Sequence, residues 1–409
     1  MPVLNHAAGE WTTARPEMLL LRAPVVVPVC QPVIEDGAVL VADGRILAVG
    51  PYRDLKGSAG VLEYEGRALI PSLINAHCHL ELSHLAGLGT RRHHGPITEW
   101  INRLLDLRLE KDGEGAMEAG RRALALLKDR GVGLVADIGN FSDSAAIRGE
   151  AGPRHLFFLE LIGLSGQKEQ EAMTTAGNSD LPCTPHAPYS SGPRLMSYLK
   201  RQAEALDRPF SIHLAESREE ISFLKDGTGP FRDFLKDKSL WDESFSPPGC
   251  GAAEYLDRLG LLDDRTLCVH CVHLSDEELD LLARRRSRVC LCPSSNRQLG
   301  VGKAPLKGML DRGIVPALGT DSLASNPRLD IWEEMALVRR DEPGTDPATV
   351  FALATRAGAR ACGADDLGML APGSAASILA VDFSGIPVQE IMEYLTSGNI
   401  ADKVTWAEK

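Results

Sequence analysis

Two histidines one residue apart close an apolar run, Ala68-Leu69-Ile70-Pro71-Ser72-Leu73-Ile74-Asn75-Ala76-His77-Cys78-His79. In an extended strand alternate side chains share a face, so both imidazoles point the same way at the strand's C-terminal end, where one metal ion can take both. A His-x-His pair alone also arises by chance. Three further apolar runs end in residues of related competence. Pro209-Phe210-Ser211-Ile212-His213 has Glu216 three residues on, Thr266-Leu267-Cys268-Val269-His270 ends in another histidine, and Gly313-Ile314-Val315-Pro316-Ala317-Leu318-Gly319-Thr320-Asp321 ends in an aspartate. Strands that each deliver such a residue point to a parallel barrel with its chemistry at the strand ends.

Cys268-x-x-Cys271 with Cys290-x-Cys292 has the spacing of a four-thiolate zinc site. On strands, however, Cys268 and Cys271 face opposite sides while Cys290 and Cys292 share one, so small residues filling two barrel strands is the better reading. Nine cysteines in a chain too large to need disulfide staples are expected to be reduced, and mostly buried.

The elements that must position these residues follow from the pattern. Eight strand-like runs are expected: Leu69 to Ala76, Gly133 to Ile138, His155 to Leu161, Leu181 to Pro185, Pro209 to His213, Thr266 to Val269, Arg288 to Cys292 and Ile314 to Gly319. Amphipathic stretches such as Met117 to Asp129, Arg194 to Leu206, Asp276 to Arg285 and Ala304 to Arg312 separate most of them, the alternation of a parallel α/β fold. Residues 222–262 are long for one crossover and read either as a substrate-facing insertion or as a helical hairpin on the outside. Before the barrel, short strands and the hairpin signal Asp43-Gly44 suggest an antiparallel sheet. Ser377 to Phe383 is a single late strand that must join it to be buried. The expected domains are 1–67 and 367–409, together one small β-sandwich, around a catalytic (β/α)8 TIM-like barrel at 68–366.

At 409 residues with 44% hydrophobic and 24% charged residues, the chain can bury a large core, and disorder is not indicated. A net charge of -12 opposes binding to a phosphate backbone, so no nucleic-acid partner is expected. The opening Met-Pro-Val-Leu-Asn-His shows no signal pattern and no apolar stretch is long enough to cross a bilayer. A cytoplasmic enzyme with a small-molecule substrate and no membrane partner is expected, and a homodimer is compatible with these features.

Asn75-Ala76-His77-Cys78-His79, His213-Leu214-Ala215-Glu216, His270-Cys271-Val272-His273-Leu274, Cys292-Pro293-Ser294-Ser295-Asn296 and Leu318-Gly319-Thr320-Asp321-Ser322 together resemble the amidohydrolase superfamily. They are similar to its branch of cytosine and guanine deaminases, methylthioadenosine and adenosylhomocysteine deaminases and triazine chlorohydrolases. The resemblance spans nearly the whole chain and is specific for fold and metal chemistry, less so for substrate. It implies that His77, His79, His213 and Asp321 hold one divalent ion. The fourth strand, Leu181-Pro182-Cys183-Thr184-Pro185-His186, lacks the bridging lysine of two-metal relatives. Zinc suits the set, with iron or manganese as substitutes.

A divalent ion lowers the pKa of its water from about 15.7 to roughly 7–9, making hydroxide available for attack. The implied roles are Asp321 as proton acceptor, Glu216 as proton donor to a heterocycle and then to departing ammonia, and His270 as a polarising or hydrogen-bonding group. Substrate contacts are expected from His186, Trp100, Asn296 and Arg297. Leu80-Glu81-Leu82-Ser83-His84-Leu85 with Pro185-His186-Ala187-Pro188-Tyr189 most resembles aminodeoxyfutalosine deaminases of the alternative menaquinone pathway. Their substrate carries a carboxylate that Arg297 could pair with bidentately. A chlorohydrolase or iminohydrolase would use the same site, and a non-catalytic barrel would be expected to have lost ligands that this chain keeps.

Overall fold

The computed structural model describes residues 18–111, 114–147, 152–243 and 245–407. The opening Met-Pro-Val-Leu-Asn-His lies outside the described residues. In chain order the strands are β1 (Leu19–Val26), β2 (Ile34–Ala42), β3 (Arg45–Pro51), β4 (Gly60–Glu63), β5 (Arg67–Pro71), β6 (Leu73–Cys78), β7 (Val132–Gly139), β8 (Arg154–Leu161), β9 (Cys183–Pro185), β10 (Phe210–Leu214), β11 (Thr266–His270), β12 (Arg288–Leu291), β13 (Ala317–Leu318), β14 (Ile378–Asp382) and β15 (Val404–Trp406).

Strands β6 to β13 pair in sequence order as two parallel four-stranded halves, β6-β7-β8-β9 and β10-β11-β12-β13. Hydrogen bonds cross both seams. The His213 N–H donates to the His186 carbonyl at 2.9 Å, and the N–H groups of Thr320 and Asp321 both donate to the His77 carbonyl at 3.1 Å. Every residue of β7, β10 and β11 is buried. Strands covered on both faces read as continuous apolar runs rather than alternating ones, which is why these eight were recognisable.

The flanking strands form one mixed seven-stranded sheet in the order β15-β14-β5-β1-β2-β3, with β4 also on β1. Asp43 and Gly44 take φ of 50° and 70°, the paired left-handed conformation of a tight hairpin turn. Two expectations are corrected here. The sheet is not purely antiparallel, because β1 runs parallel to β4 and β5. The run from Leu69 to Ala76 is two strands: β5 pairs with β1 and β14, and β6 enters the barrel after a break at Ser72. Residues on both sides of that break are buried, so no change of polarity marks the hand-over.

Residues 222–262 supply the end of the helix Arg218–Asp226 and the helices Pro230–Asp237 and Ala252–Arg258. Phe231 from the middle helix is buried with its ring stacked on Tyr189, centroids 4.0 Å apart. No helix among the described residues is long and apolar enough to cross a membrane.

Gly319 lies at the seam where β13 meets β6. A Cβ there would fall 2.8 Å from the His77 carbonyl oxygen and 2.9 Å from both the His77 Cβ and the Cys290 Sγ. Gly319→Ala is therefore expected to destabilise the protein by about 1–3 kcal/mol, checked by urea unfolding of both proteins.

Candidate active site

His77 sits in β6 and His79 just beyond it, His213 in β10, His270 at the last position of β11, and Asp321 shortly after β13. The chain leaves these strands through left-handed backbone at Ala215 (φ 52°), His270 (φ 70°), Cys271 (φ 51°) and Asp321 (φ 57°). Non-glycine residues avoid that region, at a cost of order 1–3 kcal/mol each, and persist there only where the surroundings over-determine it. The surroundings are visible. Glu220 presents both carboxylate oxygens to the N–H groups of Ala215 and Glu216, each at 2.9 Å. Asn75 donates to Thr320 Oγ1 at 2.7 Å and accepts from the Thr320 N–H at 3.1 Å, fixing the turn that carries Asp321.

The rings converge. The Nε2 atoms of His77 and His79 lie 3.1 Å apart. Asp321 Oδ1 lies 3.6 Å from the His79 Nε2 and 4.0 Å from the His77 Nε2. Ligand atoms of His77, His79 and His213 all fall within 4.8 Å of one another. With bonds of about 2.0–2.1 Å, tetrahedral ligand atoms lie roughly 3.3 Å apart, so the donor set fits a divalent ion. Supporting hydrogen bonds fix the orientation. His213 Nδ1 faces the His186 carbonyl at 2.9 Å and His270 Nδ1 faces Asn296 Oδ1 at 2.9 Å, so each ring donates from Nδ1 and keeps the Nε2 lone pair free. Ser295 and Ser325 donate to Asp321 Oδ2 at 2.6 and 2.8 Å, which leaves Oδ1 for the histidine side.

Burial and mutual repulsion keep the imidazoles neutral. His77 is held well below the usual histidine range, and His79 is pushed by burial to about 3 against the pull of Asp321. His186 falls to about 4 and His270 is lowered, both chiefly by burial. Burial also pushes Asp321 upward, but His79, His270 and the Ser295 hydroxyl outweigh it and hold the carboxylate ionised. Glu216 behaves oppositely: burial lifts it to about 7, with His213 pulling back. Its Oε1 lies 3.6 Å from the His270 Nε2.

These groups floor a cavity of about 440 Å³ lined in part by His79, His213, Glu216, His270 and Asp321. His186 and Trp100 line it as well. Phe231, Phe234, Leu235 and Leu240 line it too, so residues 231–240 of the 222–262 segment face the cavity. Two expectations are corrected. Asn296 is not among the lining residues and is instead the acceptor that orients His270. Arg297 also lies outside the lining; its guanidinium donates to Asp341 at 2.7 Å, and Lys303 shares that carboxylate. The helix Pro293–Leu299 explains both, since successive residues on a helix point about 100° apart and Asn296 takes the inward face.

Sequence reasoning missed Glu220, Ser295 and Ser325, and a polar wall made of Glu81, Arg108, Asn140 and Glu160. Ser217-x-x-Glu220 is a helix-start pattern that flags Glu220. Glu160 stands out as the one charge in the apolar end of β8.

Comparison with known proteins assigns the family. Residues 68–406 match the model of the Amidohydrolase family, and residues 37–58 match that of an Imidazolonepropionase-like composite domain of bacteria. The chain belongs to the amidohydrolase family. It is a hydrolase acting on carbon–nitrogen bonds, and the family's fold is a TIM-like barrel, to which the two parallel four-stranded sheets correspond. It is 31% identical over 395 residues to a 5-methylthioadenosine/S-adenosylhomocysteine deaminase of Halalkalibacterium halodurans, covering 89% of this chain and 85% of that one. It superposes on an adenosine deaminase of Xanthomonas campestris with bound zinc at TM-score 0.77 and 27% identity, covering 95% and 90% of the two chains. An aminofutalosine deaminase of Helicobacter pylori shares the fold at TM-score 0.81 and 24% identity, with 94% and 99% covered.

His213→Ala is expected to leave the purified protein with far less than a stoichiometric ion by elemental analysis, and to lower its melting temperature toward that of chelator-treated wild type. Arg297→Met should change stability by less than about 1 kcal/mol, as an exposed ion pair does, and should not selectively weaken an acidic substrate. Parallel kinetics on an acidic and a neutral nucleoside check the second point.

Proposed function

We propose that the chain deaminates adenine nucleosides by hydrolysis, releasing ammonia, with one zinc ion per chain held by His77, His79, His213 and Asp321. The observation that carries the reading is the convergence of three imidazoles and Asp321 beside Glu216 and His270 on one cavity floor, with Asp321 held low by its neighbours and Glu216 lifted by burial to about 7. Three neutral imidazoles and a carboxylate suit zinc, and β9, Cys183-Thr184-Pro185, brings no lysine to bridge a second ion. The likeness to a methylthioadenosine/adenosylhomocysteine deaminase and to a zinc-bound adenosine deaminase supports a nucleoside carrying an amino group. Carboxylate recognition by Arg297 was the residue-level support for an aminodeoxyfutalosine substrate. With Arg297 on Asp341, the reading stays at the nucleoside class.

An ion in this donor set would acidify a water molecule and polarise the site. The chain's own groups handle the protons. The Asp321 carboxylate, held in place by the two serine hydroxyls on Oδ2, would accept the proton that water gives up. The Glu216 carboxyl, lifted by burial to about 7, is suited to carry a proton and donates it to the ring nitrogen beside the attacked carbon. It then takes the proton of the newly formed hydroxyl and passes it to the leaving amine as the C–N bond breaks, and the proton held by Asp321 returns to Glu216 to restore the starting state. His270 Nε2, aimed inward by the Asn296 bond, accepts a hydrogen bond from the attacking oxygen. The apolar walls from Trp100, Phe231 and Leu235 exclude bulk water and accept a flat ring.

Ammonia release from adenosine, 5'-deoxyadenosine and methylthioadenosine by the zinc-loaded protein tests the reading; absence of ammonia from all three overturns it. Glu216→Gln should keep its ion and lose roughly a hundredfold to ten-thousandfold in kcat. A variant with most of its turnover would reduce Glu216 to a structural residue.

A further inference from the structure

A second cavity, of about 900 Å³, opens at the end of the barrel opposite the catalytic one. Arg288 and Val289, which line it, begin β12, and Ile314 and Val315 precede β13, so both strands enter the barrel here and leave it toward Asn296 and Asp321. The extended chain from Arg288 to Cys292 covers roughly 13 Å, and no described residue lines both cavities.

The cations of this lining are all arginines: Arg286, Arg288, Arg312, Arg356 and Arg360, with Asp365 the one carboxylate among the described lining residues. Two of these charges are balanced from outside the cavity. Arg312 donates to Asp280 at 2.6 Å and to Asp276 at 3.0 Å, and Arg286 stands 3.9 Å from Asp264. The other three are not, since Arg288, Arg356 and Arg360 form no ion pair among the described residues. Arg356 and Arg360 are exposed and lie four residues apart on consecutive helical turns, a spacing at which like charges oppose helix formation. The turn that carries Arg356, Leu353–Ala357, is π-helical, an irregularity found frequently at functional sites. Arg288 is half-buried. Its Nη1 donates to the Ala361 carbonyl at 3.3 Å, its enclosed Nε has no partner, and burial lowers its pKa below the usual arginine value against the pull of Asp365 and Asp264.

Three guanidiniums against the single Asp365 carboxylate leave two positive charges, the complement of a phosphate monoester, which carries about 1.5 to 2 negative charges at neutral pH. The planar guanidinium fork matches phosphate oxygens in pairs. The rest of the lining is largely apolar: Ile314, Leu367 and Met369 contribute, and Val315 is 51% exposed, a surface that a flat ring can cover. The volume suits a small organic molecule rather than a bare ion.

We propose that this cavity is a second ligand site, distinct from the catalytic one, which binds a nucleoside phosphate with its phosphate on Arg288, Arg356 and Arg360 and its base on the apolar wall. A concave site favours a small molecule over a nucleic-acid strand, which the net charge of -12 also repels. The positive charge concentrated here runs against the average field of the chain, so a ligand relieves repulsion that the protein itself leaves in place.

Uridine 5'-monophosphate is the probe, because a pyrimidine without an adenine ring is a poor occupant of the catalytic cavity. Its binding is measured by titration calorimetry on zinc-loaded and on chelator-treated protein, beside uridine and inorganic phosphate. The expected result is one saturable site per chain with Kd below about 1 mM, unaffected by chelation and weakened by added salt. Uridine and inorganic phosphate should each bind roughly tenfold or more weakly. Arg356→Gln combined with Arg360→Gln should lose roughly tenfold or more in affinity for the probe while melting as wild type does, and should the pair fail to fold, Arg360→Gln alone gives the comparison. Arg284→Gln, at an exposed arginine outside the cavity, should bind as wild type. Absence of saturable binding overturns the proposal, as does binding lost on chelation, which would place the probe in the catalytic cavity. Full affinity in the arginine variants, or inorganic phosphate binding as tightly as the nucleotide, also overturns it. A change of oligomeric state in the variants by sedimentation would make the cavity a contact between copies of the chain and overturn it too.

Discussion

Three imidazoles with ring centroids 4.8–5.4 Å apart can share a buried pocket only if they are unprotonated. At such spacing two positive rings in a low-dielectric interior repel strongly, and burial penalises each charge in addition. The protein accepts this constraint and turns it to use. Neutral imidazole is the ligand form, so the energetic penalty that would destabilise a charged cluster prepares the donor atoms instead. The one fixed negative charge, Asp321, is held by two serine hydroxyls on the oxygen facing away from the rings.

Much of the architecture serves to keep those rings together. Four left-handed backbone positions cluster at the ends of β10, β11 and β13: Ala215 is held by Glu220, Cys271 by donating to the Leu214 carbonyl, and Asp321 by donating to the His77 carbonyl across the seam. The Glu220 carboxyl is lifted to about 8 by burial, against the pull of the two N–H groups it accepts from. That cost is tolerable because the alternative is worse: two buried N–H groups at a strained turn with no acceptor. Strain and buried polarity are thus concentrated where the strands deliver their side chains, while the strands themselves are ordinary apolar runs.

The strand ends were legible because a barrel strand is buried on both faces and its functional residue is where apolarity stops. His77, His79, His213, His270 and Asp321 all lie at such points, and the geometry brings them together. The hand-over from β5 to β6 was illegible for the same physical reason, since both sides of Ser72 are apolar and the partner strands are far away in sequence. Arg297 misled because residue type says nothing about helical phase: one position from Asn296, it faces Asp341 rather than the cavity. The polar wall was missed because no local spacing joins Glu81, Arg108, Asn140 and Glu160, which lie on separate elements and meet only after folding.

The cavity joins two unlike surfaces. Its floor holds ionisable groups, and its upper wall, from Trp100 and the helix Pro230–Asp237, is aromatic and aliphatic. Each needs the other. Without the apolar wall, water would screen the floor, Glu216 would return toward the ordinary carboxylate range, and the acid would be ionised when a proton is required of it. Without the polar floor, the same wall would be an unspecific apolar pocket. The Phe231 ring stacked on Tyr189 links the two directly, because Tyr189 stands edge-on to the His186 ring at 5.5 Å. The insertion that shapes the mouth is thereby packed against a residue at the floor, so changes in the length or packing of 222–262 should alter the protonation of the catalytic groups as well as the shape of the entrance.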